Sequence, residues 1–174
     1  MKVALLSVTK SGSNILRNEM GWAGKPRLKQ RHNVPDSIRD LKGMMHGRTG
    51  DVLGHLRYSD EALELLKDYF IIFQFRDPRA VITSGYAYHL KLYGEVDFEV
   101  KMKRTVEHMI SMEPWYEHCS LAVRYEHLIE KEYPPTHTYR EGDHTWRDEF
   151  PSDMLDLYYE ISGPIRYWEY GGKP

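Results

Sequence analysis

The chain has one cysteine, Cys119, so it can build neither an internal disulfide nor a multi-cysteine zinc site, which fits a reducing compartment. It has no excess of either charge: 24 lysines and arginines stand against 26 acids, a net charge of -2 at pH 7. No overall field draws it to nucleic acid, and any anion it binds must be held by local groups. It also has no apolar run near the roughly 20 residues of a membrane span. The first such run, Val3 to Val8, is too short for a signal-peptide core and is expected to be a strand. A cytoplasmic protein is expected, with no nucleic-acid and no membrane partner. Internal repeats and low-complexity tracts are absent too.

Present instead are 174 residues with 41% hydrophobic, 13% aromatic and 29% charged side chains, enough for a single folded domain over residues 1–174. Three short apolar runs are each followed by a helix-like stretch. Val3 to Val8 leads into Ser11 to Trp22, where Ile15, Leu16 and Met20 share a helical face. Tyr69 to Phe75 is nearly all apolar, as expected of a central strand buried on both faces of a parallel sheet. Asp77 then suits an N-cap and Pro78 the first helical position, with Val81, Ile82, Tyr86 and Leu90 expected to face inward. Leu121 to Arg124 is a further strand, running into a helical Glu126 to Lys131. Phe98, Met102, Val106, Met109 and Ile110 mark one amphipathic helix, and Met154, Leu157, Tyr158, Ile161 and Ile165 another, interrupted at Gly163-Pro164. Gly21 to Gly50 and Glu132 to Phe150 are expected to be loops. The pattern predicts an α/β fold, a three-layer α/β/α domain with a mostly parallel sheet and ligands at the carboxyl ends of its strands.

Three motifs sit at those ends. Thr9-Lys10-Ser11-Gly12-Ser13-Asn14 joins a strand to a helix start, gathering backbone N–H groups, a lysine and hydroxyls at the positive end of a helix dipole, as a phosphate cradle requires. Its lysine precedes the glycine, so it is not a Walker A loop. Arg76-Asp77-Pro78-Arg79 with Ser84 follows the most apolar strand; arginine binds phosphate bidentately, and a hydroxyl on the next helix would complete the contact. Arg79 is better suited to a structural ion pair. Two such sites on neighbouring strand ends imply a doubly phosphorylated ligand. Third, His55 lies in a short apolar segment, Val52 to Leu56, expected to end near the same edge, where an imidazole would take a proton from an attacking hydroxyl. Of the 9 histidines, His108, His118 and His127 are expected on helix faces or the surface, and none shows a metal-ligand spacing. No metal is expected.

In this order, Lys10-Ser11-Gly12, Arg76 with Ser84, Val123-Arg124-Tyr125-Glu126-His127-Leu128 and Tyr139-Arg140-Glu141-Gly142 resemble the signature blocks of the sulfotransferases that use 3′-phosphoadenylyl sulfate (PAPS). The resemblance spans nearly the whole chain and implies a P-loop NTPase-like fold. It implies that Lys10, Ser11, Gly12, Ser13 and Asn14 hold the 5′-phosphosulfate, and that Arg76 and Ser84 hold the 3′-phosphate. Arg140 and the backbone at Gly142 would close over that phosphate, Tyr125 would lie near the adenine, and His55 would be the general base. PAPS is then the cosubstrate and 3′-phosphoadenosine 5′-phosphate (PAP) the product, with a small-molecule or glycan acceptor. The chain differs from the family pattern in several places: Ile15 replaces an adenine-packing aromatic, Glu141 replaces a phosphate-facing lysine, Ser13 and Asn14 replace the cradle's threonines, and the chain is short for the family. The alternatives are a P-loop-type nucleotide kinase or hydrolase, and a PAP- or PAPS-binding protein without transfer activity.

Overall fold

A computed structural model describes residues 2–21, 38–45, 51–128 and 145–165. In chain order the elements are β1 (Lys2–Ser7), α1 (Ser13–Glu19), α2 (Ile38–Met45), β2 (Val52–Gly54), α3 (Asp60–Leu65), β3 (Tyr69–Phe75) and α4 (Pro78–Tyr93). There follow α5 (Phe98–Met112), α6 (Trp115–His118), β4 (Leu121–Arg124), α7 (Tyr125–Leu128), α8 (Thr145–Glu149), a 3-10 turn at Ser152–Met154 and α9 (Leu155–Ser162).

The four strands form one parallel sheet in the order β2-β1-β3-β4. Successive side chains along a strand point to opposite faces, and the apolar runs divide accordingly. Ala4 and Leu6 of β1, with Tyr69, Ile71, Phe73 and Phe75 of β3, join a large core beneath α3, α4, α5 and α9. Leu5 and Ile72 join a smaller one with Leu16 of α1, packed by Val3, Phe70 and Leu128. Helices on both faces make the three-layer α/β/α architecture, and β3 is a central strand, as its unbroken apolar run predicts.

Asp77 caps α4 by accepting from the Arg79 N–H at 2.9 Å, with Pro78 in the first turn. Two expected loops each contain a helix, α2 and α8. In α2, Leu41 is fully buried, and Ile38 and Met45 pack against the same core; the helix is only eight residues long and sits in a Gly- and base-rich stretch, which hid it in the sequence. Leu90 is 41% exposed on the last turns of α4 rather than inward. Val81 and Ile82, nearer the start of that helix, are buried as expected. The first helix is shorter than predicted and begins after Gly12, not at Ser11. Among the described residues, no helix is long and apolar enough to cross a membrane.

Candidate functional site

β1 has β2 on one side and β3 on the other, so the chain reverses its direction of winding between β1 and β3. In open parallel sheets such a switch point opens a crevice at the carboxyl ends of the strands. Strand register brings the predicted motifs to this edge. Ser7 pairs with Gln74, Leu6 with Gly54, and Phe75 with Arg124. The loop after β1, His55, Arg76 and Tyr125 therefore leave the sheet at neighbouring points.

The loop is tightly built. Ser11 is fully buried, and its N–H and hydroxyl both donate to the Val8 carbonyl, at 3.2 and 2.7 Å. Its hydroxyl thus shapes the turn. Gln74, the amide in an otherwise apolar strand, is also fully buried and donates to the Ser11 carbonyl at 2.7 Å. The Gln74 Oε1 has no hydrogen-bond partner among the described residues. Gly12 lies at φ 82, in the left-handed region. A Cβ there would collide with Cδ2 and Cε2 of Tyr125, so only glycine fits both the backbone and the space. Ser13 and Asn14 open α1, half-buried, and no side chain caps that helix.

Tyr125 is almost completely buried beneath Gly12 and carries the Arg76 guanidinium over its ring, 4.2 Å from the centroid. Arg76 also donates to the Lys10 carbonyl at 3.4 Å. The two basic motifs thus meet at one loop. Ser84 stands further along α4, half-buried, and makes no hydrogen bond among the described residues. Arg140 and Gly142 lie outside the described residues. Arg79 is a structural cation, as predicted, pairing with Asp77 through Nε at 3.0 Å and Nη2 at 2.8 Å.

Lys10 takes a left-handed conformation, φ 65, which is strained for a residue with a Cβ. Its ammonium lies 3.4 Å over the ring centroid of Tyr88 on α4 and has no carboxylate partner among the described residues. Burial, and then the charge of Lys101, lowers its pKa to about 8.

His55 follows β2 directly, and its Nδ1 lies 2.5 Å from the Ser7 carbonyl and 3.3 Å from the Ser7 hydroxyl. A carbonyl only accepts, so Nδ1 carries the hydrogen, and Nε2 is the ring nitrogen left to take up or give a proton. His108 on α5 is not a surface residue: it is half-buried, and its Nε2 has no partner among the described residues. Burial, followed by the charges of His55, Arg57 and Lys101, lowers its pKa to about 4.

The aromatic residues of α4 and α6 disperse. Trp115 is fully buried and donates to the Leu56 carbonyl at 2.8 Å, Tyr116 packs on Phe75, Tyr86 on Phe98, and Tyr93 is 71% exposed. Tyr88 touches the cradle, through Lys10. Sequence reading passed over Gln74 and Lys101, although each bears a signal: an amide inside an apolar strand, and a lysine one turn after Phe98 on the packed side of α5.

Comparison with family models, with curated proteins and with solved structures finds no match for this chain. Its function must therefore be argued from its own residues.

Proposed function

We propose that this protein is a sulfotransferase, moving a sulfuryl group from PAPS to a hydroxyl or amine of a small-molecule or glycan acceptor. The observation that carries the proposal is Lys10: a half-buried ammonium without a carboxylate partner among the described residues, in a strained backbone conformation, at the switch point of a parallel sheet. Strain and an unmatched partly buried charge both cost stability, and both persist at sites that meet an anion. The order of the sequence blocks supplies the identity of that anion.

In this reaction the acceptor oxygen bonds to sulfur as the bond from sulfur to the bridging phosphate oxygen breaks, and that electron pair leaves on PAP. His55 Nε2 takes the acceptor's proton while its Nδ1–H stays on Ser7. A positioned base of this kind contributes about 10²–10⁴ in rate. Lys10 offsets the charge growing on the bridging oxygen, and the backbone around Gly12 fixes the donor beside it. Arg76 would bear on the nucleotide from the Tyr125 side, with Ser84, Arg140 and Gly142 completing the 3′-phosphate contacts.

The test is calorimetric titration with PAP, ADP and ATP, with and without magnesium, followed by product analysis over an acceptor panel. PAP is expected to bind more tightly than ADP without metal, and His55→Ala is expected to lower turnover about 10²-fold or more at unchanged PAP affinity. A preference for magnesium-ATP would instead make the protein a kinase or nucleotide hydrolase. PAP binding with no sulfated product would make it a binding protein.

A further inference from the structure

The cradle has a second cation that none of the sequence motifs contains. Lys101 projects from α5 against α4, where its Cε lies 3.2 Å and its Nζ 3.7 Å from the position a Cβ on Gly85 would occupy. Gly85 and Tyr88 are one helical turn apart and share a face of α4. Lys10 covers Tyr88 and Lys101 covers Gly85, so the two ammonium groups approach that face from β1 and from α5.

Lys101 is half-buried, and its ammonium has neither a carboxylate nor a hydrogen-bond acceptor among the described residues. Other lysines of this chain behave differently. Lys103, two residues on, reaches Glu99 at 2.5 Å, Lys67 reaches Glu64 at 2.5 Å and Lys42 reaches Glu61 at 2.7 Å. The charges of Lys101 and Lys10 both act on His89, whose pKa is lowered first by burial and then by those two. Positive charge is concentrated on one face with no acid paired to it among the described residues, and partly buried charges left unmatched disfavour the folded state.

We propose that Lys10 and Lys101 clamp a single tetrahedral oxyanion, of phosphate or sulfate type, against the Gly85–Tyr88 face of α4. Lys101 is then a binding residue of the candidate site. Gly85 matters because a side chain there would push the Lys101 stem away. The inference deepens the assignment of the cradle to an anion but does not depend on which donor carries it.

The test uses inorganic sulfate and pyrophosphate as probes and follows the lysine Nζ resonances of the full chain by nitrogen-15 NMR. On titration the Lys10 and Lys101 signals are expected to shift together, with one dissociation constant. Lys101→Met keeps the stem against Gly85 and removes the charge; it is expected to weaken binding of the probe about tenfold, while Lys101→Arg keeps affinity within about threefold. A response from Lys10 alone, or unchanged affinity in Lys101→Met, overturns the clamp. The same titration with PAP and ADP separates this proposal from the preceding one. If the inorganic probes need both lysines but PAP is not preferred to ADP, the clamp holds and the sulfonucleotide assignment fails. Should PAP be preferred with no effect of Lys101→Met on any probe, the reverse follows.

Discussion

Two groups of cations lie along helix α4, and their fates differ. At the start of the helix Arg79 is answered: it forks onto Asp77, stacks on Trp146 at 3.8 Å and donates to the Tyr159 hydroxyl at 3.2 Å. Close by, Arg124 pairs with Glu126 at 3.0 Å, and the other oxygen of Glu126 accepts from the Asp77 N–H at 2.9 Å. Two turns further on, around Gly85 and Tyr88, Lys10 and Lys101 have no carboxylate among the described residues. Basic content alone would treat the two regions alike. What separates them is closure: cations matched by acids hold the fold, and cations left unmatched, half-buried and partly strained are placed for an anion from outside.

The largest effect is expected at Gly12, in the loop that carries Lys10 and packs on Tyr125. Gly12→Ala forces a left-handed backbone on alanine and drives a methyl into Tyr125, so it is expected to cost about 4 kcal/mol and to abolish anion binding. Thermal unfolding checks the first part and calorimetry the second. Breaking the closed region comes next. Arg79→Met leaves the largely buried Asp77 carboxylate without its fork and is expected to cost about 2–3 kcal/mol in denaturant unfolding while anion affinity is retained.

His108→Leu tests a third unmatched group. In the folded protein His108 protonates at about 4 rather than 6.5. Between those values the unfolded chain binds the proton and the folded one does not, so stability falls as pH drops through this window, by roughly 3 kcal/mol. His108→Leu is expected to remove that part of the slope and to raise stability at pH 7 by about 1 kcal/mol, read from unfolding curves at pH 4, 5.5 and 7.

The smallest change in stability is expected at the open region. Lys10→Gly relieves the left-handed strain and should leave the protein equally stable or about 1 kcal/mol more so, yet unable to hold the anion. The same lysine gives the pH dependence. With its pKa lowered to about 8, Lys10 loses its charge as pH rises through 8, in the field of Lys101 and beside Tyr88 and His89, and anion affinity is expected to fall there. Folding stability moves the other way. Between about 8 and 10.5 the unfolded lysine keeps the proton that the folded one has lost, so this group's contribution rises with pH.

The frame was legible in the sequence because its signals are local. Tyr69 to Phe75 stands out as a buried strand, Asp77-Pro78 as a helix start, and Met102, Val106 and Met109 as one helix face, all without knowledge of what lies across from them. Helix α2 did not stand out, because it is short, lies in a Gly- and base-rich stretch, and packs Ile38, Leu41 and Met45 against partners distant in sequence. The half of the site carried by the loop after β1 was visible as a motif. Its other half was not, since Lys101, Gly85 and Gln74 acquire meaning only when α5, α4 and β3 are folded onto that loop. His108 lies on a helix, as expected, but its partial burial was not legible for the same reason, since it comes from the packing of α5 near His55 and Arg57.

The most direct test is calorimetry of PAP against three proteins: the wild type, Lys10→Met and Arg79→Met. The contrast between open and closed cations predicts that PAP binds the wild type and Arg79→Met with similar affinity, and that Lys10→Met loses about tenfold or more. Equal binding by Lys10→Met, or loss confined to Arg79→Met, would contradict it.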